Sequence, residues 1–305
     1  MVRSYNYMRY LLLVFLGACS YGILSTIVKL AYGQGYSPGE VVGGQMFFGF
    51  LLTWLPALFV LRQRPSLKRM LLLLAVGLPV GSTGLLYYNS LQYIPASIAI
   101  VLLFQFTWMS VLLETLLTRK RPAAITLYSL ILLFAGTILA GGILDKGIGS
   151  FSFAGIAFGL SSAVSYTLFI FFSGKAAPEV NSWLRTSLMS TGSMLLVFLI
   201  YPPSFLVSGV LWDGLFGYVF LLAAFGVFVP TVCFNFGVPH TGPGMAGILG
   251  AAELPMAVFS SYIILQESVS LLQWLGVIII LLGIILPEWV RFRGTKTTKT
   301  PSPLS

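Results

Sequence analysis

Charged side chains are scarce in this sequence. Asp, Glu, Lys and Arg together make up 8% of its 305 residues, whereas hydrophobic residues make up 57%. A chain of this length cannot bury that much apolar surface inside a water-soluble globule. The composition therefore argues against a soluble domain and predicts a protein whose solvent is the lipid bilayer.

Histidine and cysteine are nearly absent as well. The one histidine is His240, and the two cysteines are Cys19 and Cys233. An intramembrane enzyme needs paired carboxylates, a Ser-His pair or a metal cluster at one depth, and these few residues cannot supply such a set. We therefore expect no enzymatic activity, cofactor, metal site or disulfide. The sequence also lacks a Walker-type phosphate loop, which argues against ATP-driven pumping.

Long apolar stretches make up most of the chain. Because a helix satisfies its own backbone hydrogen bonds, a stretch of roughly 20 apolar residues can cross the hydrocarbon of a bilayer. The segment Leu16-Gly17-Ala18-Cys19 resembles the attachment site of a lipoprotein, but the apolar run continues to Ala31 and favours a true span. We predict an all-α membrane protein with ten transmembrane helices at residues 9–31, 39–61, 70–91, 95–117, 123–143, 153–173, 184–203, 214–237, 243–265 and 270–290.

The basic residues are distributed unevenly between the two predicted sides. With ten spans and the N-terminus inside, every Lys and Arg except Lys29 and Lys146 falls on one side. Cytoplasmic loops of membrane proteins carry such an excess, so both termini are predicted to lie in the cytoplasm, with the protein in the cytoplasmic (inner) membrane. The net charge of +9 does not form a basic face on a folded module, and we expect no nucleic-acid binding.

The chain contains two related copies. Ser20-Tyr21 on the first span match Ser165-Tyr166 on the sixth at an offset of 145, and Pro95 and Gln105 match Pro243 and Glu253 at an offset of 148. Each copy has five spans, so the second copy must enter the membrane from the opposite side. We predict inverted repeats, residues 1–148 and 149–290, followed by a disordered basic tail, 291–305. Such repeats are typical of alternating-access transporters, which keep their substrate site between the halves.

Glu253 is the one acid near the middle of a predicted span. A carboxylate there is costly unless it is paired, hydrated or protonated, so it marks a candidate site for substrate and for a coupling proton. The alternative is structural, because Glu253 could bond the backbone that Pro255 loosens.

Other polar residues fall at a similar depth. They can hydrogen-bond a small polar metabolite, or they can serve only as ordinary bonds between helices. Aromatic residues beside them can wall a cavity or simply pack. With Glu253, the candidate substrate-binding residues are Ser20, Tyr21, Tyr88, Gln105, Trp108, Ser165 and Tyr166.

Two spans at corresponding places contain proline and glycine. Proline removes a backbone donor and glycine loosens a helix, so we predict hinges at these positions. The residues are Pro79, Gly81 and Gly84 on the third span and Gly226 and Pro230 on the eighth.

Three features of the sequence carry a family resemblance: the paired Ser-Tyr motifs, the segment Ala251-Ala252-Glu253-Leu254-Pro255, and the turn Gln266-Glu267-Ser268 followed by Leu275-Gly276. In these features the chain resembles the drug/metabolite transporter superfamily, of the ten-span EamA type. The resemblance covers about residues 9–290. The first half departs from it, since Gln105 and Thr107 replace the Glu and Pro of the ninth span and Arg119 stands where Glu267 does. Any coupling by that acid is therefore expected in one half only.

This resemblance implies export of a small metabolite, such as an amino acid or related compound, by a secondary transporter. The expected partners are the bilayer, a small-molecule substrate and, as a hypothesis, H+. The alternatives are a passive facilitator or a carrier of another cargo, such as a sugar-nucleotide. A phosphorylated cargo needs basic residues in the cavity, and none is predicted at mid-depth.

Overall fold

The computed structural model describes residues 2–59, 65–94, 96–142, 152–266 and 268–297, and these residues form helices and turns with no strand. The predicted repeat boundary at 148–149, and the residues Pro95 and Glu267 used in the sequence comparison, lie outside this part. The all-helical prediction is confirmed for the described residues.

The first half contains five helical stretches. They are α1 (Val2–Gly33), α2 (Pro38–Leu58), α3 (Leu67–Tyr93), α4 in two segments, α4a (Ala96–Leu103) and α4b (Phe106–Thr118), and α5 (Ala124–Ala140).

The second half repeats this order. It comprises α6 (Phe153–Ser173), α7 (Ser182–Ile200), α8 (Leu211–Thr241), α9 in two segments, α9a (Pro243–Gly250) and α9b (Glu253–Ile264), and α10 (Leu271–Thr297). A π-helical turn, Ala224–Phe228, divides α8, and we refer to the part after it as α8b (Val229–Thr241).

The ten predicted spans correspond to ten apolar helical stretches among the described residues. Eight are long and apolar enough to cross a bilayer, and two shorter ones are Ala124–Ala140 and Leu271–Pro287. The last helix continues to Thr297 and so includes the beginning of the stretch predicted to be disordered; residues 298–305 lie outside the described part.

Side chains fix where the second helix of each half begins. The Ser37 hydroxyl accepts a hydrogen bond from the Glu40 backbone N–H, and the Glu40 carboxylate accepts one from the Ser37 N–H at 2.7 Å. This capping box satisfies amide groups that have no partner inside the helix. In the second half the Asn181 side chain caps α7 in a related way, by accepting from the Trp183 N–H at 2.9 Å.

The two halves interlock reciprocally. Helix α1 packs against α8b and α9, while its counterpart α6 packs against α3 and α4. Helices α2 and α7 contact each other, as do α5 and α10. Glycines allow the closest approaches: a Cβ on Gly77 of α3 would overlap the Met189 backbone of α7. Small residues at helix contacts serve this purpose in membrane bundles.

Both α4 and α9 are broken in the middle, which the sequence analysis did not predict. The second segments begin at Phe106 and at Glu253, an offset of 147. This register differs by one residue from the offset of 148, and it matches Glu253 with Phe106 instead of Gln105. Broken helices in corresponding places of two halves are a feature of transporter folds, in which they border the substrate site.

Candidate functional site

A cavity of about 530 Å³ lies between the halves. It begins at Lys29, Tyr32 and Pro38, near the last turns of α1, and ends in the middle of the bundle at Tyr166 and Glu253. We call the end with Lys29, Tyr32 and Pro38 the open face. We call the opposite end of α1 the closed face. There Tyr10 stacks on His240, and Glu114 accepts a hydrogen bond from the Gly244 N–H.

Aromatic rings form the floor of this cavity. Tyr21 meets Tyr166 edge to face, with ring centroids 5.6 Å apart, and Phe106 lies 4.5 Å from Tyr166. Phe169 and Phe234 follow, with centroids 5.8 Å apart. Edge-to-face and tilted contacts of this kind stabilise aromatic clusters. The cluster separates the cavity from the closed face.

Glu253 borders the cavity at the first residue of α9b. The break before it comprises Ala251 and Ala252, and Gly22 of α1 lies so close that a Cβ there would overlap the Glu253 carbonyl. The structure thus places this carboxyl group at the N-terminal end of a half-helix, where the backbone dipole favours negative charge. The first half has Phe106 in the equivalent place, which makes the site chemically one-sided.

Several tyrosines surround this carboxyl group. Tyr21, Tyr87, Tyr88 and Tyr166 all border the cavity, as does Tyr32 nearer the open face. Among the described residues, the hydroxyl groups of Tyr32 and Tyr166 are buried without a hydrogen-bond partner. Buried hydroxyl groups in native proteins usually have one, so these two have hydrogen-bonding capacity that the described residues leave unused.

The serines of the two Ser-Tyr motifs do not border the cavity. The Ser20 hydroxyl donates to the Phe225 carbonyl on α8 at 2.6 Å, and the Ser165 hydroxyl donates to the Pro79 carbonyl on α3 at 2.9 Å. Each serine therefore bonds from the first helix of its half to the third helix of the other half. The sequence left two interpretations of these serines open, hydrogen bonding to a metabolite and hydrogen bonding between helices. The observed geometry is that of the second.

The chemistry of the Ser20 bond follows from the π-helical turn. The Val229 N–H donates to the Ala224 carbonyl, five residues back. The next donor in this register would belong to residue 230, which is a proline and has no N–H. The Phe225 carbonyl would therefore have no donor in its own helix, and Ser20 supplies one.

The comparisons with known proteins agree with this two-part construction. The model of the EamA-like transporter family matches residues 8–142 and again residues 153–287. The chain belongs to the EamA-like transporter family. A crystal structure that is 16% identical superposes with a TM-score of 0.77 over 94% of this chain and 98% of the other, which supports the fold. No curated protein sequence matches the chain significantly.

Two predicted site residues of this EamA-like protein lie elsewhere. Gln105 and Trp108 border a smaller groove of about 360 Å³ on the outer surface, between α4 and α5. They bond to each other, the Trp108 indole N–H donating to the side-chain Oε1 of Gln105 at 2.8 Å. Because α4 breaks before Phe106, the ring of Phe106 points to the aromatic floor, and Gln105 is turned away from the cavity.

The predicted hinge residues differ in their surroundings. Helix α3 runs without interruption through Pro79, whereas α8 has its π-helical turn at Gly226, four residues before Pro230. Gly84 and Gly226 border the cavity, and Gly81 lies against the Ser193 carbonyl of α7. The local helix irregularity is thus present in the second half only.

Contacts between the halves hold the closed face together. The Glu114 carboxylate accepts a hydrogen bond from the Gly244 N–H at the start of α9a, at 2.6 Å. The rings of Tyr10 and His240 stack with centroids 3.6 Å apart. Arg69 pairs with Glu179 at 2.7 Å, with both side chains about half exposed. Nothing in the local sequence around Glu114 indicates a partner 130 residues away.

Proposed function

We propose that this membrane transporter is a secondary carrier that moves a small metabolite, with amino acids and related compounds as the first cargo class, by alternating access of two inverted halves. One observation carries this proposal. The cavity is open along one end of the bundle and stops at mid-depth on an aromatic floor, between two halves that pack reciprocally. A site accessible from one side at a time is what alternating access requires.

The positions of the charges support an orientation for this carrier. Lys29 is at the mouth of the open face, while the exposed Arg69–Glu179 pair and His240 are near the closed face. The excess of Lys and Arg in the loops of the closed face favours a cytoplasmic location for that face. In this proposal both termini are cytoplasmic and the described state is open outward, in the inner membrane.

The lining chemistry favours an amino acid over a phosphorylated cargo. Glu253 can bind an ammonium group, the Tyr32 and Tyr166 hydroxyl groups can donate to a carboxylate, and the remaining wall is mostly apolar. Ligand sites commonly combine an apolar wall with a few polar groups, and the volume of this cavity lies in their usual range. Lys29 is the single cation among the lining residues, which is too few for a nucleotide phosphate.

A ligand screen on the purified protein tests the site. A molecule that binds the folded state raises its apparent stability, so amino acids and related metabolites are compared by thermal shift. For the best compound, Tyr21→Ala and Tyr166→Ala should each weaken binding, and Trp108→Ala, outside the cavity, serves as the matched control. Unchanged affinity in both tyrosine variants would show that the cargo binds elsewhere.

Flux into proteoliposomes separates a coupled carrier from a passive facilitator. With a coupled carrier, an imposed pH gradient should drive accumulation of the compound above its outside concentration. Equal steady-state accumulation with and without the gradient would favour the facilitator and contradict proton coupling.

A further inference from the structure

Gln45 of α2 borders the cavity, although the sequence analysis did not single it out. Its side chain is 3% exposed, and no hydrogen bond joins its amide group to another residue of the described part. Buried polar groups in native proteins nearly always have a partner, because leaving one without a hydrogen bond is unfavourable. The cavity that Gln45 borders is therefore where a partner for this amide would bind.

The glycine at position 226 leaves room for this amide. Gly226 lies in the π-helical turn of α8 and also borders the cavity. A Cβ added there would overlap the Gln45 Nε2 and the end of the Leu24 side chain, so any side chain would displace both groups. The neighbours of Gln45 on α2 are apolar, with Val42 and Met46 buried. The amide is thus a single polar group held in an apolar surround.

Helix α1 relates Gln45 to Glu253 across the cavity. Gly22 lies against the Glu253 backbone, while Leu24, two residues later, lies with Gln45 beside Gly226. Two residues of a helix are about 3 Å apart along the axis and about 200° apart around it. Glu253 and Gln45 are therefore at a similar depth, on the two sides of the stripe of α1 that borders the cavity.

The two groups have complementary chemistry. The Glu253 carboxylate attracts a cation, whereas the Gln45 amide offers two N–H donors to an acceptor such as a carboxylate. Among the residues that border the cavity, Gln45 and Lys29 have the only side-chain nitrogen donors, and Lys29 is at the mouth, five residues beyond Leu24 on α1. At the depth of Glu253, the nitrogen donor is thus the Gln45 amide.

From these observations we infer that Gln45 forms a carboxylate subsite in the cavity and is the residue by which the protein selects amino acids over amines that lack the carboxyl group. Its N–H groups donate to the carboxylate of the cargo, while Glu253 binds the ammonium group. Gly226 acts as a positioning residue for the amide. The inference rests on the proposed carrier function and specifies which residue recognises the cargo.

Binding to the purified full-length protein tests the subsite. The probes are the twenty amino acids and amines that lack the carboxyl group, such as isoamylamine for leucine and phenethylamine for phenylalanine, compared by thermal shift and then by titration. Gln45→Met keeps the approximate size of the side chain and removes its donors. A hydrogen bond to a charged group accounts for roughly tenfold or more in affinity, so Gln45→Met should weaken amino-acid binding about tenfold and leave amine binding unchanged.

Gln45→Glu gives a sharper test, because it should reverse the preference. A second carboxylate repels the carboxylate of an amino acid and attracts the ammonium group of an amine. The ratio of amine affinity to amino-acid affinity should therefore rise about tenfold or more. Gln105→Glu, the same substitution in the outer groove, is the matched control and should leave this ratio unchanged.

Gly226→Ala tests the positioning of the amide and replaces the Gln45 variants if these do not fold. The nearest neighbours of the added Cβ are the flexible ends of the Gln45 and Leu24 side chains. We expect this variant to bind amino acids more weakly and amines unchanged. General destabilisation would lower both affinities together, so the ratio distinguishes a positioning role from a merely structural one.

The outcomes separate this inference from the proposed function. Amino-acid binding with an unchanged preference over the corresponding amine in all three cavity variants would overturn the inference and leave the carrier function standing. Absence of binding and of counterflow for every amino acid would contradict the proposed cargo class, and the inference with it. Reversal of the preference in Gln45→Glu but not in Gln105→Glu would support the carboxylate subsite.

Discussion

The hydroxyl group of Ser165 lies 2.9 Å from the carbonyl oxygen of Pro79 and donates a hydrogen bond to it. The same carbonyl accepts from the Thr83 hydroxyl at 2.7 Å, one turn later on α3. The Ser20–Phe225 bond runs in the other direction, so that the first helix of each half is hydrogen-bonded to the middle of the third helix of the other half. The two serines directly precede Tyr21 and Tyr166 of the cavity floor, and their bonds occupy equivalent positions in the two halves.

Loss of the Ser165 hydroxyl should destabilise the protein. Bonds between transmembrane helices contribute about 0.6 kcal/mol on average. Ser165→Ala should therefore lower the free energy of unfolding by about 0.6 kcal/mol, which is measured as a lower midpoint of thermal unfolding. Ser162→Ala is the matched control on the same helix, because among the described residues its hydroxyl bonds to the Gly159 carbonyl of its own helix. A control variant destabilised as much as Ser165→Ala would show that the bond between the halves adds nothing.

Neutralising Glu253 should uncouple transport from the pH gradient. Among the residues that border the cavity it is the only acid, and the groups facing it are tyrosines and, at the mouth, Lys29. Glu253→Gln keeps the shape of the side chain and removes its proton exchange. We expect accumulation driven by a pH gradient to be lost, while exchange of cargo continues with a higher KM because the ammonium group loses its carboxylate partner. The measurement is uptake into proteoliposomes with and without that gradient, and pH-driven accumulation equal to that of the wild type would remove Glu253 from the coupling mechanism.

The close approach of α3 and α7 makes Gly77 intolerant of any side chain. A Cβ at Gly77 would overlap the backbone of Met189, which is unable to move without displacing the helix. Forced overpacking typically costs about 1–3 kcal/mol, so Gly77→Ala should lower thermal stability clearly. Gly217→Ala, at a helical glycine with no atom near the added Cβ, should be neutral or stabilising. Equal stability of the two variants would contradict the packing described here.

Much of the architecture follows from the sequence, and its failures have physical causes. Apolar runs predict the ten helical stretches because hydrophobicity determines what enters the bilayer. The Ser-Tyr pairs identify the repeat correctly, yet they do not show which way a hydroxyl group points. For Ser20, that direction depends on the donor missing at Pro230 and on the π-helical turn, which leave the Phe225 carbonyl without a donor in its own helix.

The break in α4 explains the error at Gln105. No proline or glycine marks residues 104–105, so periodicity alone predicts a continuous helix there. Tertiary packing of Phe106 into the aromatic floor fixes the break and turns Gln105 outward. The partnership of Glu114 with Gly244 is equally invisible locally, because it forms only when the halves interlock.

A comparison of two aromatic residues tests which pocket binds the cargo. Tyr88 borders the cavity on α3, whereas Trp108 lies in the outer groove and is bonded to Gln105. Tyr88→Ala removes a large part of the cavity wall, and truncation of the few contact residues that dominate binding, among which tyrosine is over-represented, costs more than about 1 kcal/mol of binding free energy. We therefore expect the transport KM to rise about fivefold or more. Trp108→Ala should leave the KM unchanged, since Trp108 lies outside the cavity between the halves. If instead the Trp108 variant raises the KM and the Tyr88 variant does not, the cargo binds between α4 and α5, and the route between the halves is excluded.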